Sequence, residues 1–229
     1  FAALAGRVDD GTLTGTARVN RINVTESGQA IKNAESIFLW DDVFHSSVQN
    51  TTNYNFGATT QTATQAGGFL NLNAGPITTI NTNSGIRSAR VFALKTKSET
   101  RVVMGIQMST APQTNNLVEF GLMDFSLSTR VAPVEGVFFR YNAAAELRGI
   151  MSFNGTETQT AAITAPASSV THEYTIVITN SHVVFYIDAV AVGSLTLLTD
   201  TPGNGMPVMQ PSLPLGFRTY IGASAPASG

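Results

Sequence analysis

Apolar and polar positions alternate in short runs along most of this chain, which is the period of half-buried β-strands. Gly68-Phe69-Leu70-Asn71-Leu72-Asn73 is the plainest case. Arg90-Val91-Phe92-Ala93-Leu94-Lys95 and Arg101-Val102-Val103-Met104-Gly105-Ile106 carry denser apolar stretches, which predicts deeper burial. Leu117 to Phe125, Gly136 to Tyr141 and Glu146 to Phe153 continue the series. Asn154-Gly155 then separates Met151-Ser152-Phe153 from a Thr-rich run, and this dipeptide accepts positive φ at both centres of a type I′ turn.

The clearest hairpin joins Tyr174-Thr175-Ile176-Val177-Ile178-Thr179 to His182-Val183-Val184-Phe185-Tyr186-Ile187-Asp188 through Asn180-Ser181. A two-residue turn there pairs Ile178 with Val183 and Ile176 with Phe185, so one face of both strands is apolar. A third strand follows from Val190 to Leu195. Asn142 to Arg148 has helical propensity but no room for an amphipathic period, and it reads as a turn entering a strand. Pro202, Pro207, Pro211 and Pro214 make residues 199–214 an irregular crossing loop.

Residues 1–36 differ. Gly6 to Thr12 and Asn20 to Gly28 are polar with little to bury, which suits either a loose tail or an arm that orders only against a neighbour. If ordered, the arm is extended. The organisation is therefore an N-terminal arm, 1–36, and one β-sandwich, 37–229. The first residue is Phe1 rather than Met, consistent with processing or with the start of an ordered region.

Composition narrows the function. Only 12% of residues are charged, so Thr, Asn, Ser and Gln must cover the surface, as in many β-rich extracellular and virion proteins. A net charge of −2 argues against nucleic acid or an anionic membrane as partner. Cysteine is absent, which removes disulfides, thiolate zinc sites and a cysteine nucleophile together. No apolar run approaches the roughly 18 residues of a membrane span.

Two segments carry a family likeness. Tyr174 to Leu195 resembles the Y-x-I-x-I … V-x-F-Y-I-D … V-G-S-L meander of concanavalin A-like sandwiches, the fold of laminin-G domains and legume lectins. Leu39-Trp40-Asp41-Asp42-Val43-Phe44, Asn50 to Phe56 and Gly67 to Leu72 are similar to the opening of that fold. Asp188-Ala189 departs from it, since the resemblance implies a turn glycine after Asp188. A narrower likeness is to virion structural proteins of tailed phages, carried by Leu39 to Phe44, Gly136 to Tyr141 and Ser212 to Tyr220. The implied fold is all-β: an antiparallel two-sheet jelly-roll sandwich, concanavalin A-like, behind an extended N-terminal arm.

Glycosidases on this fold project carboxylates from one face of a strand. Here the best strand is Val118 to Phe125. Its Glu119 and Asp124 are five positions apart, so a regular strand sends them to opposite faces, and two solvated carboxylates, or one paired with an Arg, is the better reading. His45 is remote in sequence, and the hairpin register puts His172 and His182 on the order of 20 Å apart at about 3.3 Å per residue, so they share no ion. The same register sets Glu173 opposite Asp188, which is unfavourable. Calcium, which oxygen-rich loops hold in relatives of this fold, would resolve it. So would Arg148, a slipped register or frayed strand ends. Trp40 and Phe38 read as core aromatics more readily than as a sugar platform. The triplets at Asn23, Asn50 and Asn154 match the glycosylation acceptor pattern, as chance produces in an Asn- and Thr-rich chain. There is no G-x-S-x-G elbow or phosphate-binding loop.

The sequence thus nominates no catalytic, cofactor-binding or metal-ligating residue and implies a non-enzymatic protein. The phage likeness implies a virion component, decorating a capsid or belonging to a fibre or tail. It would assemble through its arm with other virion proteins, as a homo-oligomer for which a trimer suits three-fold positions. The alternative is a lectin-like module that reads a surface glycan, with Asn-rich loops at 49–55, 81–83 and 113–116 available to do so. A glycosidase built on Glu119 is the third reading.

Overall fold

A computed structural model describes residues 48–59, 61–66, 69–73, 80, 82–94, 99–128, 131–179, 181–197 and 212–221. The chain divides into two units, 1–42 and 43–229, and all the described residues belong to the second. The expected arm, Phe38, Trp40, the Leu39 to Phe44 opening, the triplet at Asn23, His45 and Asn81 lie outside the described residues.

Those residues form strands and no helix. In chain order they are β1 (Tyr54–Thr59), β2 (Thr62–Ala66), β3 (Phe69–Asn73), β4 (Asn83–Ala93), β5 (Thr100–Gln107), β6 (Asn116–Met123) and β7 (Gly136–Tyr141). They continue with β8 (Leu147–Phe153), β9 (Thr156–Gln159), β10 (Thr171–Ile178), β11 (His182–Ile187), β12 (Val190–Thr196) and β13 (Ser212–Ile221). One sheet has seven strands in the order β1-β4-β13-β6-β7-β8-β9, and a second has four in the order β12-β11-β10-β5. A separate two-stranded ribbon, β2-β3, completes the set. Every pairing is antiparallel. The all-β antiparallel sandwich expected from the sequence is the fold observed.

Strand alternation puts one residue in two into the space between the large sheets. Phe120, Leu122, Val137, Phe139, Tyr141, Leu147 and Met151 come from the seven-stranded sheet, against Met104, Tyr174, Ile176, Ile178, Val183 and Phe185 from the other. All are buried. Four rings knit the layers: Phe139 lies 5.0 Å from Phe185 and 5.2 Å from Tyr174, and Phe120 lies 4.9 Å from Tyr174, all edge to face. Each such side chain contributes about 1.5–3 kcal/mol by burial, and each edge-to-face contact adds about 0.5–1.5 kcal/mol.

The hairpin register is the expected one, with Ile178 facing Val183 and Ile176 facing Phe185. Asn154 and Gly155 have φ of 49° and 75°, the type I′ geometry their identities demand. Asn142 to Glu146 is a turn, closed by backbone N–H groups of Ala144 and Glu146 donating to Asn142 Oδ1.

Three expectations need correction. Val91 and Val103 are 56% and 54% exposed, because both sit on the outer faces of their sheets. β5 is an edge strand among the described residues, and its dense apolar stretch is half core and half surface. The crossing loop ends earlier than its prolines suggested: Ser212, Leu213 and Pro214 already belong to β13. Pro214 is tolerated there at a register shift between Pro214 and Gly216, where the ladder has no need of its missing N–H. Finally, the turn that lacks its glycine keeps its shape. Asp188 and Ala189 both adopt left-handed backbone, at φ 49° and 65°, between Ile187 and its partner Val190.

An alanine in that conformation is strained by roughly 1–2 kcal/mol, part of which a glycine would give back as unfolded-chain entropy. Ala189→Gly is therefore expected to stabilise the domain by about 0.5–1 kcal/mol, raising Tm by about 1–4 °C. Thermal and urea unfolding of the two proteins checks this, and a lowered midpoint would contradict it.

Candidate functional site

On the side of the seven-stranded sheet away from the core, the pairing registers align one residue per strand in a transverse row. Gly57 of β1 faces Gly85 of β4, which faces Arg218 of β13. Arg218 faces Glu119 of β6, which faces Arg140 of β7, which faces Arg148 of β8. Directly opposed residues share a face, so these charges meet. Glu119 is fully enclosed and takes charge-assisted hydrogen bonds from both sides. Arg140 Nε donates to its Oε1 at 2.5 Å, and Arg218 Nε donates to its Oε2. The Tyr220 hydroxyl donates to Oε1 at 3.3 Å.

Arg140 reaches outward as well, clasping Glu157 of β9 with two bonds of 2.6 and 2.8 Å. Its burial works to lower its pKa, but the bond to Glu157 and the charge of Glu119 outweigh that and raise it. Burial, then the Glu119 charge, pushes the Tyr220 hydroxyl up as well. The two arginines also pack on aromatic faces: Arg218 lies 4.6 Å from the Tyr220 ring centre and 5.1 Å from that of Phe125, and Arg140 lies 5.1 Å from Phe138.

A strap of chain, described at residues 124–128 and 131–135, lies over this face. Leu127 lies over the Gly57–Gly85 pair, where a Cβ on Gly57 would come within 2.6 Å of the Leu127 Cβ. Phe125 lies over Gly216, where an added Cβ would meet its ring at 2.3 Å. Side chains of the sheet tether the strap: Asn83 Nδ2 donates to Leu127 O, Arg87 to Phe125 O, Arg218 to Val131 O, and Ser152 Oγ to Pro133 O. Glu135, at its end, is buried and accepts the Asn154 amide. Burial first, and nearby Asp124 as well, pushes its carboxyl above the usual range, while the Asn154 amide opposes the shift.

Both Glu119 and Asp124 are paired with arginines, where the sequence predicts solvated carboxylates or a single such pair. Asp124 has its own arginine, Arg87, at 3.7 Å. A catalytic acid must be reachable and must be able to exchange its proton, and Glu119 is walled in between two guanidinium groups. Arg218, Arg140, Glu157 and Tyr220 were not singled out in the sequence. The available signal was that β6, β7 and β13 each place an isolated charge in an apolar run.

The outer face of the four-stranded sheet is built differently. Register brings Tyr186 beside Thr175 and Ala191, Val184 beside Val177 and Ser194, and His182 beside Thr196. An open depression of about 580 Å³ is lined by His182, Val184, Ala191, Gly193, Ser194 and Thr196. No carboxylate or guanidinium lines it. His182 Nδ1 is paired with Ser181 Oγ at 2.8 Å.

His172 and His182 begin β10 and β11, at opposite ends of the hairpin, as expected. No group of three or more potential ligands for a metal ion occurs among the described residues. Arg148 does not relieve the Glu173–Asp188 opposition. Left-handed backbone at Asp188 folds its carboxylate back over the strand end, where the Glu173 N–H donates to Oδ1 at 2.9 Å and the His172 ring pairs with Oδ2 at 2.6 Å. Arg148 is engaged elsewhere, by Glu146 and the Thr160 carbonyl. The asparagines of the three candidate loops also have internal work. Asn50 Oδ1 accepts from Asn53 N–H, Asn83 holds the strap, and Asn116 Oδ1 accepts from the Thr219 hydroxyl.

No protein-family model and no curated protein sequence matches the chain. Solved structures do. The potassium-bound carbohydrate recognition domain of Emp46p aligns with a TM-score of 0.55 at 8% identity, over 81% of this chain and 90% of that one. The carbohydrate recognition domain of Emp47p aligns with a TM-score of 0.55 at 14% identity, over 81% and 88%. A sialidase matches with a TM-score of 0.52 at 13% identity over 78% of this chain, which spans only 14% of that protein. These likenesses establish a lectin-type, concanavalin A-like sandwich. The resemblance to tailed-phage virion proteins gains no support from them.

Removing the Glu119 charge would leave the buried Arg218 guanidinium without its carboxylate and Arg140 with Glu157 alone. Glu119→Gln is expected to destabilise the domain by about 3–5 kcal/mol. Urea unfolding measures this, and a loss below about 1 kcal/mol would contradict the central role given to the carboxylate.

Proposed function

We propose that the sandwich is a non-catalytic carbohydrate-binding module that takes a neutral glycan on the outer face of its four-stranded sheet. One observation carries the reading. Glu119, enclosed on the larger sheet's outer face, is held between two arginines under a strap, whereas among the described residues the depression on the smaller sheet's face is open. Saccharides offer hydroxyl groups along their edges and apolar C–H faces. A suitable surface combines hydroxyl and imidazole groups with an aromatic or aliphatic shelf. Ser194, Thr196 and His182 supply the former, and Val184, Ala191 and Tyr186 the latter. The absence of charge from the lining favours a neutral sugar over a uronic or sialic acid.

The carbohydrate recognition domains that share the fold support this choice, at the level of architecture only. Expected affinity is modest. A shallow, open surface with few fixed polar groups gives a Kd of about 0.1–1 mM for a single saccharide unit, and repeated copies would raise the avidity.

The experiment is a neutral-glycan array probed with multivalent protein, followed by NMR titration of any hit. Binding is expected to shift resonances of β11 and β12, and both Tyr186→Ala and Ser194→Arg are expected to weaken it at least tenfold with Tm unchanged. No released sugar should accumulate. Hydrolysis by the wild-type domain, or shifts confined to the seven-stranded sheet, would overturn the proposal.

A further inference from the structure

We propose that His172 is a pH-sensitive clasp that holds the segment 164–170 to the β11–β12 turn while its ring carries both protons. The two ring nitrogens face two acceptors. Nδ1 lies 2.6 Å from Asp188 Oδ2, and Nε2 lies 3.1 Å from the carbonyl oxygen of Ala167. A backbone carbonyl never donates, and an ionised carboxylate does not either. A neutral imidazole has one N–H and can make one of these bonds, whereas the imidazolium makes both. Which neutral tautomer forms is immaterial, because each of them loses a partner.

Among the described residues facing it, the ring meets one ionised group. The segment 161–170 contains no ionisable side chain, and β5 places Ile106 opposite His172. Glu173, next along β10, has its carboxylate Oε1 engaged by the Thr175 hydroxyl at 3.3 Å. Asp188 is thus the facing ion. The His172 contact, and then the Glu173 amide, hold its carboxyl below the usual range.

The consequence is a stability contribution bounded on both sides. A carboxyl held low contributes above its unfolded titration and is lost as pH falls through the folded one. The ring's double contact is made on the acidic side and loses one bond as the ring gives up its proton. The clasp therefore closes while the ring carries both protons and opens as it gives one up. Opening leaves the segment tied by Ser169, whose N–H donates to Met108 O at 2.6 Å and whose hydroxyl donates to Ser109 O at 3.0 Å. The device is independent of the glycan proposal, since it lies at the end of the sheet where β10 starts and β11 stops.

The test uses the full chain at about pH 5.5 and about pH 8.5, values on either side of an ordinary histidine titration. Nitrogen-detected NMR of the His172 ring should find both nitrogens protonated at the lower value and one at the higher. Amide exchange of Glu173 and Ser169, corrected for intrinsic rates, should lose about two- to fivefold of its protection over the same interval. His172→Gln should abolish that pH dependence, and His182→Gln should keep it. A ring with a single N–H at about pH 5.5, or an unchanged pH response in His172→Gln, would sink the idea. The ring measurement needs no variant, so it decides the question even where H172Q fails to fold.

Discussion

One buried carboxylate organises the larger sheet. Glu119 sits between Arg218 and Arg140 because β13, β6 and β7 pair in the one register that sets all three side chains on the outer face. A slip of a single residue in β6 would turn Glu119 into the core and send Phe120 and Leu122 outward. The charge and the hydrophobic pattern thus enforce the same alignment. The ion cluster itself adds little net stability over an apolar equivalent, since enclosing the three charges costs most of what their attraction returns. Its value lies in penalising every other alignment, and β13 needs that most. It is the strand that enters the sheet between β4 and β6 after the longest excursion of the chain.

The same cluster decides which surfaces remain for a partner. Charges on a sheet face must be hydrated or covered, and here they are covered: the strap carries Phe125 and Leu127 down onto the glycines of the row and its flank. Gly57 and Gly216 are needed because any side chain there would lift the strap off the guanidinium groups beneath it. The covering is therefore written into β1 and β13 as well as into the strap. With this face occupied from within, the depression on the four-stranded sheet is the open polar surface among the described residues, lined by hydroxyls, an imidazole and small apolar groups, while Arg101 and Glu173 lie elsewhere on the same face.

How much of this was legible in the sequence follows from the range of the interactions involved. Hairpins are local, so Ile176–Phe185 and the Asn154-Gly155 turn could be aligned from a window of a dozen or so residues. The partners of Glu119 lie 21 and 99 positions away, and nothing in a strand's own pattern says which other strand it joins. Edge position is non-local too. β5 reads as a buried strand by its content, yet among the described residues it has a neighbour on one side only, and Val103 faces outward. The Glu173–Asp188 conflict was legible, but its resolution was not: a left-handed Asp188 turns its side chain toward the β10 backbone and pairs with the His172 ring.

The lectin-type fold carries both binding and hydrolytic proteins, so architecture alone cannot separate the two. What separates them is the state of the carboxylates on the outer sheet face. A glycosidic acid needs a carboxyl whose proton is exchangeable and a second carboxylate at a set distance from it. In this domain Glu119 has its oxygens shared among two guanidinium groups and a phenol, and Glu157, the other carboxylate of the cluster, is clasped twice by the same Arg140. One guanidinium thus occupies the space between the two carboxylates. Catalysis would require it to leave, yet its departure would uncover the charge on which the register of three strands depends. The arrangement that makes the sheet unique also keeps those carboxylates from acting on a glycosidic bond.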